Sequence, residues 1–481
     1  MNIPLIIVIL YVLLLFGISI YVSQKQKKEK NDFLLYKGKN NTLVVAASIA
    51  GLAIGGASTI GIAENAFTVG LSAGWYDTAW AIGAVVSSVL AVKYLRKSSY
   101  TTISGLVSDL YGQKTSFIMV ISMCIIQSGI IALQYKAGGS ILASLLPGIF
   151  TTESGTFFSF LIFMLVAVIG GMGSVSLTNV LNLILIYAGV ILAAVLVLSG
   201  HGGWAAIQTL TASQPDVPYL SFTAGMGWIG ILSWIIVMLG NTNSVQGVVQ
   251  IGLTGKDDKT ARNGFIIGAL LMVPVGFICA LLGVAGKALL PNATASLALP
   301  MILMSLPPVL GGITLSGLWA ADMGTGCSMI IGLSTTVSSD IVYKLGKDRI
   351  PEQKKLLVNK TIVILSSIVT YLIATQMGAI LDAMQKALSL AIGTSFIVIG
   401  GLLFPNFSGK KAGFWTIVTS IVSIIAWNLV PALSPIFKSI GLFMLATCGI
   451  VFIAISLADR EKVSGATKAV RKAALTGQTE A

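Results

Sequence analysis

The sequence predicts an all-α protein that crosses a membrane many times. Of its 481 residues, 55% are hydrophobic and only 10% are charged, whereas soluble proteins carry about 25% charged residues. A soluble fold with so many apolar side chains would have too little polar surface for contact with water. Membrane β-barrels alternate polar and apolar residues along each strand. This chain has long uninterrupted apolar runs instead, which argues against a β-barrel. Composition therefore excludes an ordinary soluble enzyme and a disordered chain.

Thirteen segments are apolar enough and long enough to cross a bilayer, which takes about 20 residues. Gly is common in them, as expected where membrane helices pack closely. The predicted spans are residues 3–23, 43–70, 75–95, 115–145, 155–171, 174–199, 225–253, 262–287, 308–343, 356–377, 379–405, 412–431 and 435–457.

The positions of Lys and Arg predict the orientation of these spans. Every basic cluster follows an odd-numbered span, and the other loops are nearly free of positive charge. The clusters are residues 25–39, 96–97, 256–262, 344–355, 410–411 and 460–472. Because basic loops stay in the cytoplasm, we expect an outside N-terminus, a cytoplasmic C-terminus and insertion in the cell membrane. The net charge of +13 lies in these loops, so it does not indicate a nucleic-acid partner.

Two spans contain residues that interrupt a membrane helix. The second span has a Gly-rich stretch at residues 51–61, and the seventh contains Asn241-Thr242-Asn243. Setting the first span aside, these two spans begin two successive groups of five. Interrupted helices at corresponding places in two halves mark the binding site of a transporter. Alternatively, the glycines only allow close packing, and the asparagines only bond a neighbouring helix.

Several short motifs resemble those of the sodium:solute symporter family, in the family's order. They are residues 31–38, 66–75, 100–103, 110–112, 246–250 with 256–257, and 338–343. The resemblance implies a LeuT-like fold with two inverted repeats of five core helices. It implies a first helix and basic loop (1–42), the two repeats (43–200 and 201–405), two further helices (406–457) and a cytoplasmic tail (458–481).

The family's sodium site lies between core helix one, which is broken, and core helix eight. The resemblance places its ligands on the carbonyls of Gly51, Ile54 and Ala321 and on the side chains at Gly324 and Thr325. Family members usually have two adjacent hydroxyls there, and this chain has only Thr325. A second departure is Asn179, where members often have an aspartate that some use for a second cation. We therefore expect no second sodium at Asn179.

Asp322 is a third departure, because the family usually has a small or apolar residue there. An ionised carboxylate at mid-membrane costs several kcal/mol without a partner. It is either a structural ion pair with Lys136 or Lys386, a compensating sodium ligand, a proton carrier, or a contact to a substrate amine. Proton coupling through Asp322 is therefore the alternative to sodium coupling.

Neutral hydrogen-bonding side chains form the predicted solute pocket, with Asn241 and Asn243 on unwound backbone. This chemistry suits a small polar solute such as an amino acid, a carboxylate or a sugar. The predicted pocket residues are Ser58, Thr59, Gln134, Asn241, Asn243, Ser389 and Thr394.

The sequence predicts no enzyme, because it has no nucleophile–base pair and no cluster of metal ligands. The four cysteines lie apart in apolar runs, and His201 is the single histidine. We expect no organic cofactor, no metal beyond sodium and no obligate protein partner. The sequence shows neither the repeated pore motif of a channel nor the signalling domain of a sensor. A channel and a transporter-like sensor are therefore distant alternatives.

Overall fold

The computed structural model describes residues 3–29, 32–97, 100–200, 202–344, 350–376 and 380–465. His201 and the tail beyond residue 465 lie outside these ranges. The described chain consists of helices, numbered here in order. The helices are α1 (Ile3–Glu29), α2 (Thr42–Ala53), α3 (Ile62–Val69), α4 (Trp75–Val89), α5 (Ala91–Lys97), α6 (Ile103–Tyr111), α7 (Gln113–Leu145), α8 (Thr152–Val195), α9 (Gly203–Ser213), α10 (Gly227–Ser244), α11 (Gln246–Thr254), α12 (Asp258–Leu289), α13 (Ala295–Met304), α14 (Pro308–Thr336), α15 (Glu352–Gln376), α16 (Ile380–Ser389), α17 (Ala391–Leu403), α18 (Lys410–Leu429), α19 (Leu433–Phe437) and α20 (Ile440–Ala458).

All thirteen predicted spans overlap these helices, but several spans are composite. Nine helical stretches of the described chain are long and apolar enough to cross a membrane, or ten if the pair α10 and α11, bent by 57°, counts as one span. α8 contains two predicted spans, because Gly171 interrupts its helical backbone with φ 57° and ψ −153°. Only glycine adopts this conformation readily. The exact number of thirteen stays a prediction.

Three helices lie where the sequence predicts only loops. α6 falls within residues 96–114, α9 within residues 200–224 and α13 within residues 288–307. All three are about half the length that a bilayer requires. Such short helices lack the long apolar runs from which membrane spans are predicted.

Central helices pack around one another at short range. α14 contacts α7 and α8, and α12 contacts α2 and α4. A Cβ at Gly268 of α12 would lie 2.3 Å from the Ile49 side chain of α2 and 2.8 Å from the Ala46 carbonyl. Small residues thus let α12 and α2 approach closely, as in other membrane bundles. By contrast, α1 and α15 lie at the periphery with many large apolar side chains exposed.

Candidate functional site

The second predicted span is broken in the middle of the protein. α2 ends at Ala53, and the chain resumes as a π-helical turn at Ala57–Gly61 before α3 begins. Ile54 at the break has φ −81° and ψ 83°. A Cβ on Gly55 would lie 2.3 Å from the Thr325 hydroxyl, and one on Gly56 would lie 2.6 Å from the Asp322 carboxylate. Glycine is therefore required here, because the break approaches α14 so closely.

Three of the predicted sodium ligands lie together at this break. The Thr325 hydroxyl donates to the Leu52 carbonyl at 2.8 Å and is 3.4 Å from the Gly51 carbonyl. A Cβ on Gly324 would lie 2.7 Å from the Gly51 oxygen. A hydroxyl that donates one bond keeps lone pairs that can bind a cation. The sequence-predicted pairing of α2 with α14 is therefore present.

The other two predicted carbonyl ligands are buried near this point. Ile54 is the first residue after α2, and its N–H donates to the Ala50 carbonyl at 2.8 Å. Ala321 lies one helical turn before Thr325 on α14 and is fully buried.

Asp322 is fully buried, and neither of its carboxylate oxygens has a hydrogen-bond partner among the described residues. Neither Lys136 nor Lys386 donates to it, so the ion pair that would make Asp322 a structural strut is not formed in this conformation. A Cβ on Gly56 would lie 2.6 Å from one of its oxygens, so the carboxylate lies against the break. The acid therefore faces the interrupted helix and is available to a cation or a proton.

Gln134 on α7 also reaches the break. Its side-chain oxygen accepts a hydrogen bond from the Gly56 N–H at 2.8 Å. The interrupted backbone leaves this N–H without a helical partner, and Gln134 satisfies it. Gln134 is thus next to the predicted ion site as well as to the predicted solute pocket.

Asn179 on α8 lies between α2 and α14. Its amide donates to the Ser328 hydroxyl at 3.2 Å and to the Ser48 carbonyl at 3.4 Å. A Cβ on Gly324 would lie 2.9 Å from the Asn179 oxygen. Asn179, predicted from the sequence only as a lost carboxylate, therefore lies beside the predicted sodium ligands.

Asn182 extends this polar cluster and is likewise not among the site residues predicted from the sequence. It accepts a bond from the Tyr11 hydroxyl at 2.7 Å and is 3.4 Å from the Asn179 oxygen. Two asparagines one turn apart in an apolar helix are a signal that does not depend on family motifs.

The prediction that Asn241 and Asn243 lie on unwound backbone is wrong. α10 continues through both residues to Ser244, and the break comes at Val245, with φ −86° and ψ 125°. The reason is local, because Thr242 and Ser244 donate their hydroxyls to α10's own carbonyls. Such bonds satisfy the polar groups without unwinding the helix.

Asn241 nevertheless has unusual surroundings. It is fully buried, and neither its amide nitrogen nor its oxygen has a hydrogen-bond partner in the described part of the chain. Asn243 donates to the Leu239 carbonyl, and its oxygen has no partner. Buried amides are normally bonded, so these two groups are suited to contact a bound solute.

The predicted hydroxyls of the solute pocket mostly bond backbone carbonyls close to them in the chain. Ser58 donates to Ala53, Thr59 to Gly55, and Ser389 to Lys386. Thr394 on α17 differs, because it also donates to the Ser244 hydroxyl of α10 at 2.7 Å. The predicted pocket thus divides into a group at the α2 break and a group where α10 meets α17.

Asp77 on α4 is a second buried acid, and it is not among the site residues predicted from the sequence. It is fully buried, and both oxygens have no hydrogen-bond partner among the described residues. It packs against α12, where a Cβ on Gly276 would lie 2.8 Å from the Asp77 Cβ. The signal in the sequence is a lone carboxylate near the start of the third predicted span.

At the end with the basic loops, polar contacts close the bundle. Asp340, just after α14, accepts bonds from Thr102, Ser104 and Lys344. The Gln246 side chain bonds the backbone of Thr101 and Ile103. The start of α6, the start of α11 and the turn after α14 are thereby held together on this side.

Comparison with known proteins agrees with this architecture. The sodium/pantothenate symporter of Haemophilus influenzae is 26% identical over 466 residues, covering 93% of this chain and 91% of that protein. The sodium/proline symporter of Staphylococcus aureus is 23% identical over 480 residues, covering 94% of this chain and 91% of that protein.

Solved transporters share the fold. A Na+-coupled sialic acid symporter has a TM-score of 0.79 at 19% identity, covering 96% of this chain and 98% of its own. A nucleobase-cation-symport-1 family transporter has a TM-score of 0.59 at 16% identity, and the match covers 94% of this chain and 96% of that transporter. The LeuT-like fold that the resemblance implies is confirmed.

The family itself follows from a match that covers most of the sequence. The model of the sodium:solute symporter family matches residues 33–430. This match confirms the predicted class, a multi-pass membrane transporter rather than an enzyme. The chain therefore belongs to the sodium:solute symporter family.

Proposed function

We propose that this symporter takes up a small polar organic solute together with sodium, and that the ion binds between the α2 break and α14. The observation that carries the proposal is the buried contact of the Thr325 hydroxyl with the Leu52 and Gly51 carbonyls. Carbonyl and hydroxyl oxygens are suitable ligands for a hard cation, and broken helices offer such carbonyls. Ile54 and Ala321 supply the remaining carbonyls, and Gly324 leaves room for the ion.

Asp322 compensates for the missing second hydroxyl in this proposal. The family's usual pair of hydroxyls is reduced to Thr325, whereas Asp322 adds a full negative charge one turn away on the same helix. At low effective dielectric constant, a charge within several Å of an ion stabilises it even without direct contact. The sodium in turn balances a buried acid that has no hydrogen-bond partner in the described chain.

The solute binds between the two groups of the predicted pocket, with Gln134 at the α2 break on one side and Asn241 and Asn243 of α10 on the other. The unbonded amide groups of Asn241 favour a solute with both donors and acceptors. The relatives are named for pantothenate and proline, so an amino acid or another small carboxylate is the first class to test, followed by sugars.

Transport follows alternating access from the outside to the cytoplasm. The bonds of Asp340 and Gln246 close the end with the basic loops. Positive loops stay in the cytoplasm, so this closed end is the cytoplasmic one, with the N-terminus outside and the protein in the cell membrane. Breaking these bonds opens the path through which solute and ion leave.

Proton coupling through Asp322 is the second candidate. The observation that favours it is the same buried acid without a hydrogen-bond partner, because such a group exists as a neutral acid unless a cation accompanies it.

Uptake into proteoliposomes distinguishes the two candidates. A screen of amino acids, carboxylates and sugars for thermal stabilisation first identifies a solute. Uptake of that solute is then driven by an inward sodium gradient or by an inward proton gradient, each imposed alone. Sodium coupling predicts accumulation with the first gradient only. Accumulation driven by protons in sodium-free buffer would replace it with proton coupling, and accumulation with neither would reject both.

A further inference from the structure

A second cavity lies at the end of the bundle with the basic loops, away from the α2 break. It has a volume of about 810 Å³ and lies between the C-terminal part of α1, the loop after it, the turn after α14 and the start of α15. Among the described residues, its walls include Lys27, Lys355 and Lys360 and one acid, Asp32. The charge of this cavity is therefore positive.

Two lysines of this cavity, Lys27 and Lys360, carry its positive charge without a carboxylate partner among the described residues. No carboxylate of the described residues forms an ion pair with Lys27 or Lys360. Both lysines line the cavity, and the Lys360 ammonium lies 5.5 Å from the centre of the Phe33 ring. Two like charges that face the same space favour an anion between them.

Gln26 adds an unsatisfied hydrogen-bond donor to the cavity. Its side chain is 6% exposed, and its amide nitrogen has no hydrogen-bond partner among the described residues. Two neighbouring acceptor oxygens are already engaged. The Asn359 side-chain oxygen accepts the Tyr343 hydroxyl at 2.5 Å, and one Asp32 oxygen accepts the backbone N–H groups of Leu34 and Leu35. An anion with acceptor oxygens satisfies Gln26 and balances the two lysines.

The cavity also has apolar walls and adjoins lipid-facing helices. Phe33, Leu35 and Leu356 line it beside the polar groups. α1 and α15 expose large apolar side chains along their spans, such as Leu13 and Leu365. An amphipathic ligand with an anionic head and hydrocarbon chains fits both features, because its chains can follow these helices.

We propose that this cavity binds the phosphodiester headgroup of an anionic phospholipid. Lys27 and Lys360 hold the phosphate oxygens, Gln26 donates to them, and the acyl chains lie on α1 and α15. Basic pockets between membrane helices recognise lipid headgroups through this chemistry. The bound lipid links α1 to α14 and α15, so it stabilises their arrangement.

Purified protein in nanodiscs tests the assignment. The bilayer is either phosphatidylcholine alone or phosphatidylcholine mixed with phosphatidylglycerol, and the melting temperature and the number of retained lipids are measured. The wild type is expected to melt higher and to retain phosphatidylglycerol. Each lysine near a headgroup contributes roughly a factor of five in affinity, so Lys27→Gln with Lys360→Gln should weaken retention about 25-fold.

Two matched variants and one soluble anion make the test decisive. Lys114→Gln removes an exposed lysine elsewhere and should keep the lipid effect, and Lys27→Arg with Lys360→Arg should preserve it because the charge remains. Equal retention by the wild type and the double Gln variant would overturn the proposal. Equal stabilisation by inorganic phosphate in pure phosphatidylcholine, lost in the double Gln variant, would overturn the lipid assignment in favour of a soluble anion.

Discussion

Asp322 is the residue whose environment is hardest to explain by packing alone. It is fully buried beside Gly56, and both of its oxygens are unbonded in the described chain. Leaving an ionised carboxylate in this state costs several kcal/mol. A cation, a proton or a cationic group of the solute must therefore accompany it during transport.

Asp322→Asn keeps the shape of the side chain and removes its charge. If Asp322 supplements the sodium site, the half-saturating sodium concentration should rise about 10- to 100-fold, which corresponds to ~1–3 kcal/mol for a nearby charge. If it carries a proton, the variant should instead lose the pH dependence of uptake. Uptake is measured against sodium concentration and pH, with Asp216→Asn, an exposed loop variant, as the control. A variant that responds to sodium and pH as the wild type does would reduce Asp322 to a structural residue.

Asn241 presents a buried amide with no hydrogen-bond partner in the described chain. Removing a buried hydrogen-bonding partner costs about 1–3 kcal/mol, so Asn241→Ala should raise the half-saturating solute concentration roughly 5- to 150-fold. The protein should remain in the membrane at its usual level. Thr416→Val, which removes a buried hydroxyl bonded within its own helix α18, is the control. Unchanged solute affinity in Asn241→Ala would make this amide a structural group only.

At the scale of helices, sequence patterns predict the first break well and the second poorly. The break after α2 requires Gly55 and Gly56, because a side chain at either position would clash with α14. Glycines are visible in the sequence, so this break can be predicted. The break after α10 falls at Val245, because Thr242, Asn243 and Ser244 bond backwards to α10's own carbonyls. From the sequence alone, these three polar residues could equally bond within a continuous helix or lie on an unwound segment.

Gly56→Ala tests the close approach of the α2 break to its neighbours. The added Cβ would lie 2.5 Å from the Ala137 Cβ and 2.6 Å from the Asp322 carboxylate. Overpacking of this kind typically costs about 1–3 kcal/mol, so both thermal stability and uptake should fall. Gly17→Ala in α1, where a Cβ meets nothing within 4 Å, is the matched control. Normal uptake by Gly56→Ala would show that the break tolerates displacement from α14.

At the scale of the whole molecule, composition and apolar runs predict the class and most of the helices. The family's order of motifs predicts the LeuT-like fold, because that fold is not evident from composition. Sequence spacing does not reveal Asp77, Asn179 or Asn182 as neighbours of functional helices. Their positions depend on how α4 and α8 pack, and packing joins residues far apart in the chain. The two-repeat organisation and the orientation stay predictions.

The sodium dependence of thermal stability tests the proposed ion site most directly, since it requires no knowledge of the solute. Purified protein is titrated with sodium, with potassium keeping the ionic strength constant, and the midpoint of stabilisation is compared with that of Thr325→Val. Thr314→Val is the control, because that buried hydroxyl of α14 bonds only its own helix. The proposed site predicts sodium-specific stabilisation of the wild type, a midpoint about tenfold higher in Thr325→Val and an unchanged midpoint in Thr314→Val, consistent with the loss of one oxygen ligand. Equal midpoints in the wild type and Thr325→Val would contradict sodium binding at the α2 break.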